Sequence, residues 1–205
     1  MIRVFSRKRP QHRELLKLFS AFGDRLEDYD SPPADAGYWY GERALTGFFA
    51  AAAWSLPKGW SVEEFTGLRR QGRKKGSGRG DIWVGVGSKT YTIEAKVVWP
   101  GGSVDSARKT IENSLSEATN QLKNLEGSYR EGRPVALCYV VPDLNQKGRF
   151  SEPSIISRFF TELPTLLADR STVVGSFWYN SKPPSSGVRV YPGVAIVGRI
   201  LDVWK

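Results

Sequence analysis

Four residues in the first half of the chain have the types and spacing to do chemistry: Glu42, Asp81, Glu94 and Lys96. Three of them fall within residues 79–96, RGDIWVGVGSKTYTIEAK, where two alternating runs of Val, Ile, Trp, Tyr and Thr are split by Gly87–Ser88. A two-residue Gly-Ser loop between such runs predicts a β-hairpin. The register then sets Val86 against Lys89, Val84 against Tyr91, Ile82 against Ile93 and Asp81 against Glu94. Opposed residues share a face. One face collects Ile82, Val84, Val86, Tyr91, Ile93, Ala95 and Val97, and is expected to meet the core. The other collects Asp81, Trp83, Thr90, Thr92, Glu94 and Lys96. A slip of one residue would scramble both sets, so the apolar pattern supports the register independently of the turn.

Two carboxylates facing each other, with side-chain bases about 4.5–5.5 Å apart, repel and call for a cation. Lys96, two residues beyond Glu94 on the same face, supplies one. A divalent ion is the other choice, because Mg²⁺ is commonly held by one or two carboxylates together with water and phosphate oxygens. Carboxylates, a lysine and a metal are the parts that activate water and stabilise charge on a phosphodiester.

In this pattern the chain resembles the PD-(D/E)xK nuclease superfamily. The resemblance rests on Asp81, twelve intervening residues, then Glu94-Ala95-Lys96, on a strand pair followed by a helix. Gly80 stands where the named motif has Pro. The resemblance implies a restriction-endonuclease-like core in which Asp81, Glu94 and the Ala95 carbonyl bind Mg²⁺, with Mn²⁺ as a substitute, and Lys96 positions the attacking water. It also implies a metal-proximal Glu on the helix ahead of the sheet, a place that Glu42 matches. Some members carry a Gln, then a Tyr four residues later, on the helix after the Glu-x-Lys strand. Gln121 is present but residue 125 is Leu, which leaves Gln121 a weak match that a solvated surface side chain explains better.

The elements that must carry these residues follow from periodicity. Residues 11–28 read as a helix through Leu15, Leu16, Leu18, Phe19, Phe22 and Leu26. A proline-marked loop follows at 30–37, then a second helix from Tyr38 to Trp54, ended by Pro57 and Gly59. Glu42 lies in its first turns, with Leu45, Phe49 and Ala53 following along one face. A carboxylate on an apolar face needs a reason to be there; the helix dipole or a pair with Arg43 would supply one without chemistry. Residues 60–68, WSVEEFTGL, read as the first strand. The next segment holds Arg69, Arg70, Arg73, Lys74, Lys75 and Arg79 among Gly72, Gly76, Gly78 and Gly80. It reads as an unpacked, flexible loop running into Asp81, suited to clamp a phosphate backbone.

Downstream, residues 105–126 predict a helix with Ala107, Ile111, Leu115, Ala118, Leu122 and Leu125 on one stripe. The apolar run 134–142 predicts a buried central strand, parallel to residues 89–99. A loop at 143–150, a helix at 153–168, a strand at 171–180, a loop at 181–187 and one or two strands within 188–204 complete the chain. Trp178, Tyr179, Tyr191 and Trp204 read mainly as core, with stacking on bases as the other use of such rings. The fold class is α/β, a single domain with a mixed central sheet flanked by helices. Its core spans about 38–180, with 1–36 an N-terminal helical extension and 181–205 a C-terminal strand addition.

Across 205 residues the formal net charge is +9 and the pI about 9.7, a surplus that favours a polyanionic partner, chiefly nucleic acid, although an anionic membrane surface also fits. The single cysteine, Cys138, allows no disulfide within the chain, which favours a reducing compartment and a core thiol. The start MIRVFSRKRP lacks the apolar segment of a secretory signal, and no apolar run approaches the roughly 20 residues of a membrane span. A soluble, cytoplasmic protein is expected. The single histidine, His12, on a basic segment, argues against His-based catalysis, and no Cys/His zinc spacing exists. The expectation is a Mg²⁺-dependent endonuclease acting on DNA. The alternative is a non-catalytic nucleic-acid-binding module on the same fold. Cutting of both strands would call for a homodimer with paired sites.

Overall fold

Strand β6 (Arg133–Val140) is buried at every residue after its first and sits inside an eight-stranded sheet. An apolar run of this kind has no solvent face to offer, so it must be covered on both sides. The structure is a computed structural model describing residues 1–6, 10–29, 36–71, 74–101, 104–126, 130–142, 144–145, 153–167, 171–178, 185–186, 189–190 and 192–202.

In chain order the large sheet uses β1 (Ile2–Phe5), β2 (Trp60–Gln71), β3 (Lys74–Val86), β4 (Lys89–Val98), β5 (Leu125–Glu126), β6, β8 (Thr172–Trp178) and β11 (Gly193–Ile200). Their spatial order is β1-β8-β11-β6-β4-β3-β2-β5. Only β4 and β6 run parallel, through Glu94↔Ala136 and Lys96↔Cys138 among other pairs; all other neighbours are antiparallel. The sheet is therefore mixed. Three two-residue strands, β7 (Leu144–Asn145), β9 (Ser185–Ser186) and β10 (Arg189–Val190), form a separate small sheet.

Helices α1 (Arg13–Tyr29) and α2 (Glu42–Trp54) cover one face, packing with Ile82, Ile93, Ala95, Leu137 and Tyr139. Helices α3 (Val104–Lys123) and α4 (Pro153–Leu167) cover the other, packing with Val98, Ala136, Cys138 and Val140. The α3 stripe predicted from the sequence is buried, but the helix ends at Lys123 and Leu125 belongs to β5, which pairs with β2. Among the described residues no helix is long and apolar enough to cross a membrane.

Several expectations change. Strand β1 precedes Trp60–Gln71 and forms the opposite edge of the sheet, its end tied by Ser6 N–H to the Val174 carbonyl at 2.9 Å. The basic segment is paired backbone, an antiparallel ladder from Trp60↔Gly85 to Gln71↔Lys74, and not a loop. A strand needs only backbone partners and tolerates glycine where the neighbour fills the space, so the lack of apolar residues there did not forbid it. Strand β11 lies in the interior between β8 and β6, although its residues fall in the C-terminal stretch read as an addition. His12, on the basic N-terminal segment, is buried in a 3₁₀ turn ahead of α1. Trp178 is core, stacked on Phe160 at 5.5 Å; Tyr179, Tyr191 and Trp204 lie outside the described residues.

Gly23 marks where α1 comes closest to the sheet. A Cβ there would sit 2.4 Å from the Phe177 ring, which is held in place by Phe5 and Phe22. Gly47 of α2 has open space around it instead. Gly23→Ala should therefore lower the unfolding free energy by about 1–2 kcal/mol, the overpacking exceeding the helix-propensity gain of about 1 kcal/mol. Gly47→Ala should raise it by about 0.5–1 kcal/mol. Urea unfolding of both variants checks the contrast.

Candidate active site

The β3–β4 hairpin has the predicted register, Val86↔Lys89, Val84↔Tyr91 and Ile82↔Ile93. The ladder ends at that last pair, while β3 remains bonded to β2 as far as Lys74. At Asp81 the two strands therefore part and leave a fork. Alternate residues of β4 turn their N–H groups toward β3, so Ala95 and Val97 would lose their strand partner here. Two carboxylates take the place of that partner. Asp81 Oδ2 accepts from Ala95 N–H at 2.7 Å, and Glu42 Oε2 accepts from Val97 N–H at 3.1 Å.

Glu42 reaches the fork because Gly41, with φ of 85°, turns the chain between the 3₁₀ turn Gly37–Tyr40 and α2 and makes Glu42 the first helical residue. The predicted single helix from Tyr38 is thus two pieces. Arg43 does not pair with Glu42. It binds Glu64 at 2.6 Å, and Arg79 binds the other Glu64 oxygen at 2.9 Å. Arg43 first, and Arg79 after it, hold the Glu64 carboxyl below its ordinary range. Glu64 has φ of 46°, an uncommon conformation for a residue with a side chain. It lies between the pairs Glu63↔Ile82 and Phe65↔Gly80, so β2 bends at the same level at which β3 leaves β4.

Glu94 is only 3% exposed. The second face of the hairpin was expected to be the polar one; α3 packs back over it and buries Thr92 and Glu94 as well. Asp81 and Lys96 are half-buried. Burial raises the Glu42 carboxyl above its ordinary value of 4.5; Lys96 opposes this, whereas Asp81 and Glu117 add to it. Asp81, Lys96 and Glu117 of α3 thus all lie within electrostatic reach of Glu42. Gln121, one turn further along α3, is half-buried and not a solvated surface residue. Its Nε2 donates to Glu117 Oε1 at 3.3 Å, and its Oε1 is buried with no partner among the described residues. The fully buried Tyr139 stacks on Phe22 at 5.8 Å, and burial, with Asp81, Glu42 and Glu63 near by, keeps its phenol neutral. Burial likewise keeps the Cys138 thiol protonated.

The comparisons add nothing to this geometry. No family model, curated protein or solved structure matches the chain.

The oxygen donors that could hold a hard cation at the fork are Glu42, Asp81, Glu94 and the Ala95 carbonyl, which strand geometry turns toward the same edge as its N–H. Among the described residues no three His, Cys, Asp or Glu side chains stand close enough together to hold a metal ion as placed; one oxygen each of Asp81 and Glu42 is engaged with an amide. Of the predicted phosphate contacts, Arg73 lies outside the described residues, Arg69, Arg70, Lys74 and Lys75 are on the β2–β3 ladder, and Arg79 is exposed beside Glu64. Glu117 and Tyr139 were not singled out in the sequence; Glu117 precedes Gln121 by one helical turn, and that spacing was the available signal.

A carboxyl raised in the folded state binds its proton more tightly there than in the unfolded chain. The folded protein therefore loses stability as pH climbs above 4.5 and the loss is complete above the folded pKa. Glu42→Gln keeps an acceptor for Val97 N–H and removes the charge. It should be more stable than the parent at pH 7, and the difference should close as pH falls below 4.5. Urea midpoints across that range provide the check.

Proposed function

We propose that the chain is a Mg²⁺-dependent endonuclease of the PD-(D/E)xK type, hydrolysing phosphodiesters in DNA. The observation that carries this reading is the fork, where Asp81 and Glu42 cap the released amides of Ala95 and Val97 while Glu94 and Lys96 lie on the strand between and beside them. Gly80 in place of the motif's proline has a local cause. The Phe65 ring lies over it, and any Cβ would come within 2.2 Å of that ring.

In this reading Asp81, Glu94, Glu42 and the Ala95 carbonyl would hold Mg²⁺, or Mn²⁺ in its place. When bound, the ion lowers the pKa of a water and neutralises charge on the phosphoryl oxygens. Lys96 orients the attacking water and offsets the negative charge that builds up in the transition state. Tyr139, neutral and fixed by Phe22, supports the floor beneath the carboxylates. A cytoplasmic setting suits the single buried thiol, and cutting both strands would pair two copies of the chain.

A second reading has its own observation. Asp81 and Glu42 already satisfy strand amides, so they could serve structure alone in a non-catalytic nucleic-acid-binding module. Nicking of supercoiled plasmid separates the two. Cleavage should need Mg²⁺ or Mn²⁺, stop with EDTA, and fall at least about 100-fold in Asp81→Asn and Lys96→Ala. Lys96→Ala should keep its DNA affinity. Normal turnover by Lys96→Ala would remove its assigned role, and metal-independent binding without cutting would favour the module.

A further inference from the structure

Past the fork β2 and β3 run on together as a two-stranded ribbon, and Glu64 sits where that ribbon begins. The pairs Glu63↔Ile82 and Phe65↔Gly80 flank it, so an unbroken ladder would set Glu64 directly opposite Asp81. Two carboxylates opposed in this way share a face and repel. The ladder is interrupted there, and Glu64 takes a left-handed φ of 46°, which costs free energy in a residue with a side chain. Its carboxyl is held by two arginines instead. Arg43 donates to Glu64 Oε1 through Nε at 3.0 Å and through Nη2 at 2.6 Å, and Arg79 donates to Oε2 through Nη1 at 2.9 Å. Three N–H groups from two guanidinium groups thus converge on one oxyanion.

Both arginines flank the fork. Arg43 follows Glu42 in α2, and Arg79 precedes Asp81 by two residues on β3, which places it on the same strand face. Their side chains are 85% and 69% exposed, so a ligand can reach both from solvent. A guanidinium fork matches a phosphate as well as it matches a carboxylate. We propose that Arg43 and Arg79 form a phosphoryl-binding site beside the fork, which Glu64 fills in the free protein and yields to a phosphate. A carboxylate on a strained backbone, held by two exposed ion pairs, is the part of this cluster most readily displaced. That the phosphate belongs to a strand about to be cut rests on the nuclease reading above; the site itself does not.

Binding is measured in EDTA with two probes. One is inorganic phosphate, followed by broadening of its phosphorus NMR signal; the other is a short fluorescein-labelled DNA strand without a terminal phosphate, followed by anisotropy. Glu64→Gln removes the competing charge. It should bind the strand at least about fivefold tighter than wild type, and the slope of log K against log salt should steepen by about 0.7. Glu63→Gln, the same change of charge one residue away, should alter affinity by less than about twofold. Adding Arg43→Gln or Arg79→Gln to Glu64→Gln should cancel the gain. If Glu64→Gln does not fold, Glu64→Gly, which accepts the left-handed backbone, replaces it. A gain with both probes supports a site open to free phosphate, and a gain with the strand alone supports one confined to phosphodiesters. No gain with either probe, an equal gain in Glu63→Gln, or a gain that survives loss of the arginines overturns the site. Cleavage is scored apart, with wild-type protein and Mg²⁺. Cutting without the Glu64→Gln gain overturns the site and leaves the nuclease, whereas the gain without cutting does the reverse.

Discussion

The separation of β3 from β4 at Asp81 is the constraint on which the rest depends. A sheet that splits in its interior strands N–H groups that had been aimed at a neighbour, and buried amides left unpaired cost about 1–3 kcal/mol each. The chain answers with side chains. Asp81 serves Ala95 from β3 itself, and Glu42 serves Val97 from the first turn of a helix on the other side of the strand. The same two bonds that mend the backbone bring Asp81 and Lys96 close enough to act on Glu42, while Glu94 is buried on the same strand. Architecture and electrostatics are coupled here: removing the carboxylates would open the ladder, and keeping them concentrates acid where burial disfavours it.

That coupling gives the molecule a polarity. Asp81 and Glu42 lie at the fork, and every charged residue between Phe65 and Gly80, on the ladder that departs from it, is Lys or Arg. At the hinge between them, Glu64 binds Arg43 of α2 and Arg79 of the ribbon. These pairs are exposed and contribute little to stability individually. Their position matters more, since they fix the base of the ribbon against the helix that carries Glu42.

Much of this was legible in the residues. Strict alternation through Ile82, Val84, Tyr91 and Ile93, with a Gly-Ser turn, specified a register that the structure reproduces, because a period of two leaves no second way to bury that face. The stripe on α3 and the apolar run of β6 were equally plain. The ribbon was not, since its pairing relies on backbone bonds and on Phe65 and Trp60 lying over Gly80 and Gly85 across the ladder, a match invisible in one strand's composition. Strand β1 is four residues long and leaves almost no pattern. The burial of Glu94 was hidden because α3 returns over a face whose residues are polar. Gly41 and its positive φ decide where α2 begins, and so where Glu42 points, yet a lone glycine carries many meanings in a sequence.

The central claim is that the fork is a divalent-cation site built from carboxylates that otherwise cap strand amides. Uptake of Mn²⁺, followed through the electron paramagnetic resonance signal of the free ion, tests it without reference to any substrate. Wild-type protein should withdraw Mn²⁺ from solution, Mg²⁺ should displace it, and Asp81→Asn and Glu94→Gln should each abolish the uptake while leaving the protein folded. Undiminished uptake in both variants, or none by the wild type, would contradict it.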